Sequence, residues 1–230
     1  MKLFITGPTR GIGRAILDEL TPELDEVWAL VRESAQGEDI KRRLGDRCEV
    51  HPIVSDLERT EEVQAAVRAA SINALDAAVL CAGVFTEGPL SDLDMSAFKR
   101  DLEINLISHA VLSSELVGSL SRGKAPRVVM IGSTAAYEPY PLVPSYGVAK
   151  YGLRGLAINL REELRERGIG VTLVSPGGTL TDMWEGEDLP PNRLLDPSDV
   201  GKLVRASLTL SPQAVVEDLI VRPILGDIHE

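Results

Sequence analysis

The chain has 230 residues, a formal net charge of −11 and two cysteines. A length of this order suits one α/β core, so a single domain is expected over residues 1–230. The acidic balance excludes nucleic-acid binding, which needs a basic footprint, and no stretch approaches the roughly 18 consecutive apolar residues of a membrane span.

Residues 2–5, Lys2-Leu3-Phe4-Ile5, read as a buried strand. The glycine-rich turn Thr6-Gly7-Pro8-Thr9-Arg10-Gly11-Ile12-Gly13 follows, and then a helix with Ile12, Ala15, Ile16 and Leu20 facing inward. Glycines here permit tight turning and let the backbone approach a pyrophosphate, whose charge is favoured at a helix N-terminus. The spacing departs from G-x-G-x-x-G and lacks the Lys-Ser/Thr ending of a P-loop, and it also suits a plain strand-to-helix connector. Strands are expected at 27–31 and 49–55, the latter irregular or late-starting because of Pro52. A helix over 60–70 turns Val63, Ala66, Val67 and Ala70 inward, and a fourth strand covers 75–80.

A long helical pattern runs over about 96–120, and strands follow at 127–131 and 171–175. Between them lies a helix over 145–167; Asp196-Pro197 opens another as N-cap and first helical residue, and 219–221 is a last strand. Repeated β-α-β units imply a doubly wound parallel sheet with helices on both faces. Ligands of such sheets bind outside the carboxyl ends of the strands, where the glycine turn, Ala82-Gly83, Ser133 and Pro176-Gly177 should converge. Cys48 and Cys81 sit in separate strand-like runs, which argues against a disulfide framework and for a reducing cytoplasm. The first residues enter a strand directly, leaving no room for a signal peptide. His51, His109 and His229 are scattered and form no cluster with the cysteines, so no metal is expected.

The pair Tyr146 and Lys150 stands at i and i+4, one above the other on a helix face. A free phenol has a pKa of about 10, and a fixed cation beside it favours the phenolate, bringing it toward use as an acid and base. Ser133 precedes Tyr146 by thirteen residues at the end of a strand-like run.

Together these motifs resemble the short-chain dehydrogenase/reductase family, its single-domain branch with a Rossmann-like fold. Thr6 to Gly13 is similar to the family's T-G-x-x-x-G-x-G cofactor turn, with Gly7, Thr9, Arg10, Gly11, Ile12 and Gly13 as cofactor contacts. The resemblance gives Asp56, followed by Leu57, to recognition of the adenine, Ala82-Gly83 to the cofactor's backbone clearance, and Pro176, Gly177, Thr179 and Thr181 to the nicotinamide segment. It makes Asn105, Ser133, Tyr146 and Lys150 the catalytic set. Ser133 then bonds the substrate oxygen, Tyr146 exchanges its proton, Lys150 tunes Tyr146 and holds the nicotinamide ribose, and Asn105 anchors a water reaching Lys150. One departure is Cys81, where the family usually has asparagine; a cysteine ending an apolar run is read as a buried small hydrophobe, at some cost in local stability.

The acidic residue that binds ribose hydroxyls in NAD enzymes falls here on Val31, whereas Arg32 and Arg10 can flank a 2′-phosphate, so NADP is expected rather than NAD. The loop after Thr181 carries Met183, Trp184, Glu185, Glu187 and Asp188; with Phe85, Tyr137 and Tyr140 it suggests a modest pocket for a small ketone, aldehyde or secondary alcohol. Two alternatives stand: reduction of 3-oxoacyl groups on acyl carrier protein, and a non-catalytic NADP-binding regulatory protein. On the helix over 145–167, Ala149, Leu153, Leu156, Leu160 and Leu164 face the sheet, while Val148, Tyr151, Gly155 and Ile158 form a second apolar face. A helix apolar on both sides is buried on both sides, which implies a homodimer at least and, by the family's habit, a homotetramer.

Overall fold

The computed structural model describes residues 1–184, 186–190 and 192–228; Glu185 and His229 lie outside the described residues. Seven parallel strands form one sheet: β1 (Lys2–Thr6), β2 (Glu26–Val31), β3 (Glu49–Val54), β4 (Ala77–Leu80), β5 (Arg127–Ile131), β6 (Gly170–Pro176) and β7 (Asp218–Val221). Their order is β3-β2-β1-β4-β5-β6-β7, which places the two halves of the chain on either side of β1 and β4.

Alternate residues of each strand enter different cores, as the pleat requires. Phe4, Leu30, Leu80, Met130 and Leu173 pack beneath α3 (Thr60–Ala69), α5 (Ser108–Leu120) and α6 (Pro144–Leu164). Leu3, Ile5, Val27, Val79 and Val129 pack on the other face beneath α1 (Gly11–Leu20), α2 (Ser34–Leu44) and α7 (Pro197–Leu208). The central strands are buried on both sides and therefore read as unbroken apolar runs. Among the described residues, no helix is long and apolar enough to cross a membrane.

Two expectations change. β3 pairs with β2 in regular register from Glu26↔Glu49 to Val31↔Val54, with Pro52 opposite Ala29. Pro52 is tolerated because β3 is an edge strand, where its missing N–H costs no ladder bond. The expected long helix is also not uniform: α4 (Met95–Leu102) passes through a π-helical turn, Glu103–Ile107, into α5. The extra residue in this turn re-aims the side chains that follow, and Asn105 lies within it.

The interior also holds His109, 1% exposed in α5, with Nδ1 3.3 Å from the Ser108 hydroxyl. Burial, and secondarily the charge of Lys150, brings its pKa down to about 3. The folded-state value is below the unfolded one of about 6.5, so between these values the unfolded chain binds the proton that the folded chain refuses. Stability therefore falls as pH drops through this window, by at most about 1.4 kcal/mol per pH unit from this group. Replacing His109→Gln should flatten the acid limb by a comparable slope, as read from urea unfolding at several pH values between about 4 and 6.5. An unchanged limb would show that His109 does not carry it.

Candidate active site

The carboxyl ends of β1, β4, β5 and β6 face one another across the middle of the sheet. At β1, Gly7 and Gly11 adopt left-handed backbone with φ of +65° and +51°. A Cβ on Gly7 would press on Ala82, and one on Gly13 would collide with the Gly7 carbonyl. The turn is thus as tight as its sequence implies. Its end opens α1 without any side-chain cap from Arg10, leaving the first N–H groups of the helix free of side-chain partners. These features fit a dinucleotide pyrophosphate: a close backbone approach and unclaimed donors at a helix N-terminus. The Thr6 hydroxyl accepts the N–H groups of Cys81 and Ala82 at 2.9 and 3.0 Å, fixing the β4 loop to the turn. The cofactor-turn motif gives Thr6 no bridging role of its own; its hydroxyl reaches the β4 loop only in the folded sheet.

Cys81 is held as a small hydrophobe. Burial pushes its thiol up to about 12, so it is not a reactive thiolate. Thr181, after β6, sits against Gly11, 3.1 Å from where a Cβ would stand, and so brings the segment after β6 to the turn. Pro176 ends β6, the Gly177 N–H donates to the Val221 carbonyl at 2.8 Å, and the Thr179 hydroxyl donates to the Gly177 carbonyl at 2.9 Å. Trp184 lies over Gly178.

At the outer end of β2, Val31 is buried and Arg32 and Glu33 are exposed. The Glu33 side chain caps α2, reciprocated by Gln36, and among the described residues Arg32 forms no ion pair. Arg10 pairs with Asp182 at 2.8 Å, both exposed. Asp56 follows β3, its Oδ1 accepting the Glu58 N–H at 3.1 Å, and Leu57 beside it is buried.

The four candidate catalytic side chains come together. Ser133 follows β5, is 9% exposed, and its hydroxyl oxygen accepts the Ala135 N–H at 3.1 Å. Pro144 starts α6, placing the half-buried Tyr146 in the first turn and Lys150 one turn on. The Lys150 Nζ is 5.4 Å from the centroid of the Tyr146 ring and donates to the Ile131 carbonyl at 3.0 Å. Asn105 is fully buried; its amide donates to the carbonyls of Val84 (2.9 Å) and Asp101 (3.0 Å), and its Oδ1 accepts the Val84 N–H (3.2 Å). A Cβ on Gly83 would meet both the Asn105 Oδ1 and, at 3.7 Å, the Lys150 Nζ.

The electrostatics depart from expectation. Burial holds the Tyr146 phenol above its ordinary range, opposed by hydrogen bonding to Ser133. Burial also brings Lys150 down to about 8, because desolvation penalises its charge. The expected pocket walls divide. Phe85 stands edge-on to Tyr146, 5.2 Å between centroids, and Tyr140 bonds to the Thr134 hydroxyl at 2.8 Å. Tyr137 faces away: its hydroxyl donates to Asp218 at 2.9 Å and its ring carries the Arg154 guanidinium at 4.2 Å. Strand pairing also brings His51 within 3.7 Å of Glu26 and 3.6 Å of Glu49, a grouping the sequence spacing hid, at the opposite end of the strands.

The family model of the short chain dehydrogenases matches residues 2–190. The chain is 30% identical to a sepiapterin reductase of Chlorobaculum tepidum, over 99% of this chain and 98% of that protein. It is 29% identical to a 3-oxoacyl-[acyl-carrier-protein] reductase of Haemophilus influenzae, over 87% of each. Among solved structures, a short chain dehydrogenase from Burkholderia cenocepacia in complex with NADP superposes with a TM-score of 0.87 at 27% identity, covering 96% of both chains. With this fold, and with the ordered motifs gathered at its strand ends, the chain belongs to the short-chain dehydrogenase/reductase family of oxidoreductases.

Proposed function

We propose that this protein is an NADP(H)-dependent oxidoreductase that interconverts a small carbonyl compound and its alcohol, with Tyr146 as acid and base. The observation that carries this reading is the meeting of Ser133, Tyr146 and Lys150 at the carboxyl end of β5, beside an uncapped helix N-terminus. A nicotinamide held at this site would supply the hydride for the carbonyl carbon, or accept it in the reverse direction. Ser133 donates a hydrogen bond to the substrate oxygen and stabilises the charge that develops there. Tyr146 then gives that oxygen its proton; burial of the phenol keeps the proton in place until the oxygen becomes basic. Lys150, poised near neutrality by burial, holds its charge under the phenol and helps retain the ribose. Asn105 locks the loop after β4 against the π turn.

Gly7 to Gly13, Ala82-Gly83, Asp56-Leu57 and the segment from Pro176 to Thr181 would hold the cofactor. NADP is favoured because Val31 offers no carboxylate, Glu33 is engaged as a helix cap, and Arg32 and Arg10 are exposed cations. The solved NADP-bound relative supports this choice. Phe85, Leu142, Leu180 and Met183 are exposed around the site and suit an uncharged substrate of modest size. The acyl-carrier reductase among the relatives keeps a second reading open, but its carrier is acidic, and a net charge of −11 opposes docking. NADPH binding without turnover of any carbonyl would instead favour a regulatory protein.

The second apolar face of α6 is solvent-exposed, with Val148 at 53%, Tyr151 at 47% and Ile158 at 45%, while nothing lies within 4 Å of a Cβ on Gly155. We assign this face to a homo-oligomer interface.

Three outcomes test these readings. Tyr146→Phe should lower turnover by ~10²–10⁴-fold while leaving NADPH binding nearly unchanged, and near-normal turnover would remove Tyr146 from the chemistry. Steady-state kinetics should give a higher kcat/KM with NADPH than with NADH, and Arg32→Ala should erode the difference by about tenfold through the NADPH value; a wild-type preference for NADH would reverse the assignment. Light scattering at micromolar concentration should show a dimer or tetramer, weakened by Ile158→Glu, which would bury an unpaired charge; a mass near that of one 24.9 kDa chain would exclude the interface.

A further inference from the structure

Asp101 closes the last turn of α4 and is fully buried. A carboxyl group there needs hydrogen-bond partners, and its side chain has two. The Thr86 hydroxyl donates to Oδ1 at 2.9 Å, and the Ser145 hydroxyl donates to Oδ2 at 2.6 Å. Its own backbone carbonyl accepts the Asn105 amide at 3.0 Å.

The two hydroxyls belong to different parts of the site. Ser145 immediately precedes Tyr146 in the first turn of α6. Thr86 immediately follows Phe85, whose ring stands edge-on to Tyr146. The same two segments meet again where the Gly88 N–H donates to the Leu142 carbonyl at 2.7 Å. One buried side chain therefore joins the loop that carries the Phe85 wall to the turn that carries the phenol.

We propose that Asp101 is a positioning residue: its carboxyl sets the phenol of Tyr146 through Ser145 and the Phe85 wall through Thr86, and so fixes where a substrate carbonyl stands relative to its proton donor. The proposal rests on the reading of Tyr146 as that donor. A displacement of the order of 1 Å in such a geometry can cost about 10²-fold in rate. The two arms have separable consequences. The Ser145 arm acts on the donor and hence on kcat, whereas the Thr86 arm acts on the substrate wall and hence on KM.

The test uses the full-length enzyme, NADPH and para-nitrobenzaldehyde as the probe, with Tyr146→Phe as the control. Ser145→Ala should lower kcat about tenfold with KM nearly unchanged, and Thr86→Val should raise KM about threefold or more with kcat nearly unchanged. NADPH affinity should stay at the wild-type value in both. Asp101→Asn, which offers one acceptor and one donor to the two hydroxyls, should retain more activity than Asp101→Ala. Wild-type kinetics in both single-hydroxyl variants would overturn the proposal, as would losses that merely track a lowered melting temperature. If the wild type reduces no carbonyl, or Tyr146→Phe keeps its turnover, the reading of Tyr146 fails, and hydrogen exchange on the cofactor-free protein then decides the bridge by itself. Faster exchange confined to residues 144–150 in Ser145→Ala and to 84–93 in Thr86→Val would uphold it; unchanged exchange in both would overturn it.

Discussion

A sheet whose seven strands all run the same way forces the chain to return across its face after every strand. The returning helices cover both sides, so the strands become unbroken apolar runs and their polar ends lie at one edge. Nearly everything of chemical interest here follows from that constraint. The glycine turn after β1, the small pair after β4, Ser133 after β5 and the proline-glycine segment after β6 are far apart in sequence. They become neighbours because the strands they terminate are neighbours.

Where the strand ends meet, the protein buries an unusual share of polar groups: Asn105, Asp101, Ser145, Lys150 and His109 are all below 5% exposure. Each such group costs stability unless it finds a partner. Asn105 supplies partners for both backbone groups of Val84, Asp101 for two hydroxyls, and the Ile131 carbonyl for the lysine. The π-helical turn is part of this arrangement, since it brings Asn105 to the Val84 backbone. Desolvation then does what the Tyr-Lys spacing by itself does not reveal. It brings the lysine down to about 8 and holds the phenol above its usual range.

The pocket rim is built differently. Phe85, Leu142 and Leu180 are exposed apolar side chains on loops, Phe85 standing edge-on to Tyr146, whereas the polar set is fixed by helices and strand ends. Loops set on a rigid scaffold can vary in shape without disturbing the chemistry below them. Tyr137 shows the limit of reading a rim from sequence. It lies in the right loop, yet its ring is claimed by Arg154 and its hydroxyl by Asp218.

Local patterning along the chain carries the alternation of strand and helix, the parallel sheet, the tight glycine turn and the spacing of Ser133, Tyr146 and Lys150. These rest on local periodicity and on residues with special backbone freedom, both of which are visible in one dimension. It also indicated the two-sided character of α6, because helical spacing separates Leu153 from Ile158 without reference to any other element. It takes the folded chain to show that Pro52 sits harmlessly on an edge, that the long helix contains a π turn, and that Thr6 reaches the β4 loop. It alone shows that Asp101 joins Thr86 to Ser145, and that Lys150 donates to the Ile131 carbonyl. These depend on which distant groups share a dry environment, and neither desolvation nor a long-range hydrogen bond leaves a periodic mark on the sequence.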